Sequence, residues 1–327
     1  MRQRLRTFFS NTQASAALDI GLLAPVALAG LVMRAARELG LPERMPRSTA
    51  VLDRIGVYPV LHHYYEPLVT PSDLRRPLSE VRALPGLDLN ESGQLALMAE
   101  LTYADELLAL PDGPTPEGVF TFANAMFGPG DAELLYSIIR RKRPQRIVEI
   151  GSGESSLIAE VAIAANVADD ATYRCEHCCV EPFENPWLEQ RVSSVVRSRV
   201  EHLDVQLFDE LKAGDILFID STHVIRPQGD VLFEFLEIIG RLRRGVYVHV
   251  HDIFTPRDYP HHWVVAERKT WNEQYLLEAL LCHSDRFEVV AALNHLWHEH
   301  PEVVGRALPV LSRHPDAEPG SFWFRVR

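Results

Sequence analysis

The chain has 327 residues, 46% hydrophobic and 24% charged, enough apolar material for one large or two unequal globular domains. Its 33 basic and 45 acidic side chains leave a formal charge of -12, which argues against the basic surface that a nucleic-acid partner requires. Four cysteines are too few for a disulfide framework in a chain this long and fit a reducing, cytoplasmic setting.

At the N-terminus, Met1-Arg-Gln-Arg-Leu-Arg6 precedes an apolar run from Ile20 to Met33. That run is shorter than the roughly 18 to 20 residues of a spanning helix, contains Pro25 and follows Asp19 directly. A buried or interfacial helix is expected there, with no stable membrane span. Residues 1–118 carry helical apolar patterns broken by prolines, and read as a helical cap or accessory region. One helix is predicted over Ser92–Leu110, and the aromatic pair Tyr64-Tyr65 offers surface for an acceptor pocket. Pro111-Asp-Gly-Pro-Thr-Pro-Glu-Gly118 gathers turn formers and marks a linker, so a second domain is placed at 119–327.

From Asp131 the pattern alternates helices with apolar strands. A helix over 131–143 feeds a strand Arg146–Ile150, and a helix over 155–166 follows. Further strands are predicted at 173–180, 194–200, 215–220 and 245–252, with helices at 229–243 and 271–283. Late strands at 286–296 and 321–326 suit an antiparallel end. Near-continuous apolar strands separated by helices describe an α/β, doubly wound, mostly parallel sheet covered on both faces. Ligands are then expected at the carboxyl ends of the strands. Cys175-Glu-His-Cys-Cys179 contains a Cys-x-x-Cys pair, but the segment reads as a buried strand and lacks the further ligands of a closed zinc site.

The strand ending at Ile150 runs into Gly151-Ser-Gly-Glu-Ser-Ser156, where two glycines let the backbone turn close to a ligand and a serine starts the next helix. A dinucleotide turn would place a third glycine where Ser156 stands, and no Lys-Ser/Thr follows as in a phosphate loop. An acidic residue before the turn, Glu149, and another closing the second strand, Glu181, suit a cofactor with a ribose and a cationic amino-acid tail, with Glu149 either positioning the turn or meeting the ammonium group through water.

These residues resemble the class I S-adenosylmethionine-dependent methyltransferases, in the branch related to macrolide-sugar and other natural-product O-methyltransferases. The resemblance covers about 124–327 and rests on VEIGSGESS at 148–156, VEP at 180–182, GDILFIDSTHV at 214–224, GVYVHVHDIFTPRDYP at 245–260 and WNEQYLL at 271–277. It implies a seven-stranded sheet with S-adenosylmethionine as cofactor. By that likeness Glu149, Gly151, Gly153 and Ser155 line the methionine portion, Glu181 holds the ribose, Asp204 approaches the adenine, and Asp220 closes the cofactor site.

Asp220 ends the fourth strand, His223 lies three residues later, and His251-Asp252 end the fifth. In metal-dependent relatives a carboxylate-rich edge of this kind holds a divalent ion that binds the acceptor's oxygens. Here Asp220, His251 and Asp252 are the candidate ligands, and the imidazole donor shifts the expected ion from magnesium toward manganese, iron or zinc. His223 is the candidate general base, assisted by Asp220. The alternative account makes the histidines hydrogen-bonded groups that fix the strand ends. Asn124 and Tyr275, with Tyr64 and Tyr65, are the candidate acceptor-pocket residues.

O-methylation of a small-molecule natural-product or sugar hydroxyl is the expected reaction. Two others stay open. The same cofactor can release methylthioadenosine through aminocarboxypropyl transfer or cyclisation to azetidine-2-carboxylate, and a non-catalytic binding protein can keep the fold. The partner is a small molecule, and a homo-oligomer is compatible with the sequence.

Overall fold

A computed structural model describes residues 12–40, 44–183 and 185–327. The chain divides into two compact units at residues 73 and 74, so the turn-rich stretch 111–118 lies within the second unit and residues 74–118 pack with the α/β portion.

The first unit contains α1 (Thr12–Glu38) and α2 (Pro46–Ile55). Alanines and leucines on both sides of the run Ile20–Met33 extend α1 to 27 residues, beyond what the run alone suggests. Its described side chains are exposed almost throughout, which departs from the buried alternative and not from the interfacial one. Proline in the first turn opens α2, and Gly56 at φ 76° closes it in the left-handed conformation. The basic run Met1–Arg6 lies outside the described residues.

The second unit begins with α3 (Glu91–Glu100) and α4 (Ala104–Leu108), which split the single helix predicted over 92–110. There follow α5 (Asp131–Lys142), β1 (Arg146–Ile150), α6 (Glu154–Asp169), β2 (Glu176–Val180), β3 (Ser194–Val196) and β4 (Ile216–Ile219). A composite helix over 230–241, with π geometry at Phe233–Ile238, leads to β5 (Tyr247–Val250). The chain ends with α7 (Glu273–Leu281), β6 (Phe287–Ala292), α8 (Leu293–Glu299), α9 (Pro301–Ala307) and β7 (Phe322–Val326). The strand expected to reach 296 stops at Ala292 and turns directly into α8.

The seven strands lie in the order β3-β2-β1-β4-β5-β7-β6. Strands β1 to β5 are parallel, and β7 runs antiparallel to both β5 and β6. This differs from the 3-2-1-4-5-6 order of the dinucleotide fold, because a reversed last strand is inserted before β6.

Strand alternation builds one apolar layer on each face. Ile216 and Phe218 of β4 pack with α5 and α6 residues such as Leu134 and Ile158, while Leu217 and Ile219 pack on the other face with Phe235 and Ile238 of the composite helix. One row across the first face reads Cys179, Glu149, Phe218, His249, Trp323 in register. Strand order reverses between β1 and β4, which opens a crevice at their carboxyl ends.

Candidate active site

The turn after β1 fills that crevice. Gly151 has φ +78°, and a Cβ there would lie 1.9 Å from the Asp220 carbonyl oxygen. The contact follows from the ladder itself: Asp220 N–H donates to Ile150 O at 2.9 Å while Gly151 N–H donates to Val180 O at 3.1 Å. Only glycine satisfies both the conformation and the approach. Gly153 precedes α6, and Ser156 Oγ accepts its N–H at 3.1 Å. Across the turn, Glu181 accepts from Ser152 N–H at 3.3 Å and from Phe183 N–H at 2.8 Å. Gly151, Gly153, Ser155, Glu181 and Asp220 all line a cleft of about 850 Å³.

Glu149 does not line this cleft, in contrast to its expected place beside the methionine portion. Its side chain belongs to the row facing α6, so it points into the helix layer. There it accepts from Ser155 Oγ at 2.6 Å, pairs with His177 Nε2 at 2.8 Å, and accepts from Cys179 Sγ at 3.3 Å. His177 Nδ1 meets Glu160 at 2.8 Å. Burial alone would lower the His177 pKa, but Cys179, Glu149 and Glu160 hold it well above the ordinary histidine range. Glu149 therefore fixes the turn through Ser155. Cys178 and Cys179 sit in the buried strand foreseen from the sequence.

Four titratable groups converge on the cleft from β4 and β5. His223 Nε2 lies 3.3 Å from Asp220 Oδ1 and 3.6 Å from Asp252 Oδ2. His251 Nδ1 lies 3.5 Å from Asp220 and 3.6 Å from Asp252. Asp220, His223 and Asp252 each offer a ligand atom, all within 4.8 Å of one another, a set that could hold a metal ion. His223 and Asp252 both take left-handed backbone, φ 61° and 57°, which turns consecutive strand-end residues toward one point. His249, whose ring stacks with that of His251 at 5.8 Å, lies outside the cleft lining: it stacks on Phe218 at 4.1 Å and bonds Ser321 Oγ at 3.1 Å.

The charges are interlocked. Burial disfavours the Asp220 carboxylate, yet the adjacent His251 and His223 hold its pKa well below the usual range. Burial likewise disfavours the charged His223, but Asp220 and Glu273 raise its pKa to about 10. Asp252 is pushed up by burial.

Glu273 was not among the residues singled out from the sequence. It opens α7, is fully buried, and meets His223 Nδ1 at 2.9 Å, while the Asn272 and Glu273 N–H groups donate to His223 O at 3.0 and 3.3 Å. The pairing joins positions fifty residues apart, and no local pattern links them. Asp131, also missed, stands 3.5 Å from His251 Nε2. Trp271 packs on His223 at 4.3 Å and lines the cleft.

Other expected site residues are employed elsewhere. Asp204 accepts from Gln206 N–H at 3.0 Å in an exposed turn; Phe183, Val200 and Glu201 instead line the neighbouring cavity that shares Gly151, Glu181 and Asp220. Tyr275 bonds Asp258 at 3.1 Å outside the cleft. Tyr64 and Tyr65 belong to the first unit, 91% and 85% exposed, and the cleft lining lies in the second. Asn124 does line the cleft, but its Oδ1 accepts from Met126 and Phe127 N–H and its Nδ2 donates to Thr121 and Phe127 O, so the side chain closes its own loop.

Residues 148–253, which span β1 through the Asp252 edge of the cleft, match the family model described as a methyltransferase domain. An uncharacterised protein of Archaeoglobus fulgidus is 28% identical over 169 residues, covering 47% of this chain and 74% of that protein. A Bacillus cereus O-methyltransferase, solved in complex with SAH, aligns with a TM-score of 0.36 and 11% identity over 71% of this chain and 91% of its own. The methyltransferase-domain match falls on the strands that build the cleft. Over residues 148–253 the chain is similar to the methyltransferase domain family.

Proposed function

We propose that the cleft methylates a hydroxyl of a small-molecule acceptor, a natural product or sugar, next to a divalent cation. The convergence of Asp220, His223 and Asp252 at the rim of the Gly151 turn carries this reading, since it sets cation donors beside the cofactor turn.

The residues fit S-adenosylmethionine: Gly151 makes at the cleft wall a turn that only glycine allows, and Glu181, just past β2, would accept from ribose hydroxyls. When bound, the cofactor supplies an electrophilic methyl group and leaves as S-adenosylhomocysteine. Gly153 and Ser155 complete the turn, with Glu149 behind them as a positioning residue.

The donor set also fits a cation. Asp220 and Asp252 offer oxygens and His223 offers Nε2, because Nδ1 is committed to Glu273 in a carboxylate–histidine pair of the kind that orients metal ligands. His251 stands close enough to join or to balance their charge. Mixed oxygen and nitrogen donors favour manganese, iron or zinc over magnesium. An ion held there lowers the pKa of a bound hydroxyl and orients it. His223 Nε2 is the atom offered to the cleft, as a ligand once a cation displaces its proton; without a cation the raised pKa keeps it protonated beside Asp220, and a general-base role needs that proton removed first. Trp271, packed on His223, excludes water from that side.

Incubating the full chain with methyl-labelled S-adenosylmethionine, Mn²⁺ and a panel of hydroxylated acceptors tests the reading. Labelled methyl ether and S-adenosylhomocysteine in equal amounts support it. Methylthioadenosine formed from cofactor alone would instead favour aminocarboxypropyl chemistry or cyclisation, and cofactor binding without turnover across the panel would count against the hydroxyl acceptor.

A further inference from the structure

The helix α1 is apolar on every side and exposed throughout residues 16–32, and among the described residues it pairs outside itself near its C-terminal end, Arg37 with Glu66 at 2.6 Å. Between Ser15 and Glu38 its mean hydropathy reaches 2.0 over eighteen residues, and none of that window is buried. Ile20, Leu22, Leu23, Val26, Leu28 and Leu31 are all exposed, from 44% to 70%. At 100° per residue these six positions are spread around the whole helix axis rather than along one stripe. Gly21 and Gly30 have open space where a Cβ would stand.

We infer that this helix is immersed in the apolar interior of a lipid bilayer and holds the methyltransferase unit at an anionic membrane surface. Three observations favour a bilayer over a protein groove or a second copy. A groove or a dimer seam covers one stripe and leaves the opposite side in water, whereas here every side needs cover. The same argument separates immersion from a helix lying half-submerged in the headgroups, which keeps a polar face. Length agrees: the part of the helix ahead of Arg34, from Ser15 to Met33, extends about 28 Å at about 1.5 Å per residue, against a hydrocarbon thickness of about 30 Å.

Charge also agrees. Residues 1–47 contain seven arginines, at 2, 4, 6, 34, 37, 44 and 47, against three acids, in a chain whose total charge is -12. The arginines flank the apolar segment on both sides, where anionic headgroups would meet them. Asp19 stands about one turn inside the Ser15 end, within reach of the interface, and Pro25 is tolerated in bilayer helices. The inference goes beyond the catalytic reading and does not depend on it. It also departs from the expectation drawn from the Ile20–Met33 run alone, because the helix is longer than the run.

The full chain would be floated on a density gradient with vesicles of phosphatidylglycerol and phosphatidylcholine, at low salt, in 1 M salt and at alkaline pH. Most of the protein should float under all three conditions and be released by detergent. The double variant Leu23→Glu/Leu28→Glu, altered only at exposed positions, should lose at least about tenfold in the floated fraction while binding S-adenosylmethionine like the parent. Release by salt alone, equal flotation of the variant, or a lipid-free dimer abolished by the variant would overturn the inference. So would removal of residues 1–38 from the protein isolated from its producing cells, which would make the segment a cleaved leader.

Discussion

His223 Nδ1 lies 2.9 Å from the Glu273 carboxylate, and this buried pair decides which imidazole nitrogen meets the cleft. With Nδ1 committed, only Nε2 can face Asp220 and Asp252. Glu273→Gln keeps the size of the side chain but removes its charge. Divalent-ion affinity should fall about 10- to 100-fold, the cost of losing an outer carboxylate partner, with cofactor affinity little changed. Mn²⁺ titration followed by electron paramagnetic resonance reads the first quantity and calorimetry the second. Unchanged Mn²⁺ affinity would make Glu273 a packing residue only.

The same pair sets a pH dependence. The folded His223 pKa of about 10 exceeds its ordinary value of 6.5, so its charged form stabilises the metal-free fold. That contribution is complete below pH 6.5 and is lost as pH rises through 10. An entering cation must displace the proton, so its apparent affinity should rise by about tenfold per pH unit between 7 and 9. Thermal unfolding and ion titrations across this range check both slopes, and both should flatten in His223→Gln.

Gly151→Ala puts a Cβ 1.9 Å from the Asp220 carbonyl oxygen, so either the turn or the end of β4 must move. Displacing a positioning element by about 1 Å can cost about a hundredfold, and a loss of that order in S-adenosylmethionine affinity is expected by calorimetry. Gly153→Ala is the contrasting variant. Its nearest neighbour would be Asn185 Nδ2 at 3.7 Å, ordinary contact, and its binding loss should be much smaller.

Glu149→Ala should act on stability before it acts on chemistry. It removes one of the two carboxylates facing the buried His177 and leaves Ser155 without its acceptor. Breaking a buried ion pair from one side costs about 3–5 kcal/mol, readable by chemical denaturation. A change below about 1 kcal/mol would show that His177 is neutral in the fold.

What was legible in the sequence follows the range of the signals. Strand β1, its glycine turn and the polar ends of β4 and β5 are contiguous patterns, and the fold sets them where the periodicity placed them. Glu149 takes the turn-positioning place that its position before the glycines suggests, through Ser155, while its side chain faces α6, because one step along a strand exchanges the two faces. Glu273 could not be seen, since its partner lies fifty residues earlier and its own surroundings read as an ordinary helix start. Tyr64, Tyr65 and Tyr275 were proposed for their ring chemistry alone, which carries no information about position. The length of α1 was underread because alanines extend a helix without marking it as apolar.

The central claim, a cation site beside the cofactor turn, is tested most directly by counting Mn²⁺ bound to the full chain in the presence of S-adenosylhomocysteine, for the parent and for Asp252→Asn. One ion per chain is expected, with affinity lowered at least about tenfold in the variant, because a carboxylate ligand is lost. Absence of stoichiometric binding, or equal binding by parent and variant, would contradict it.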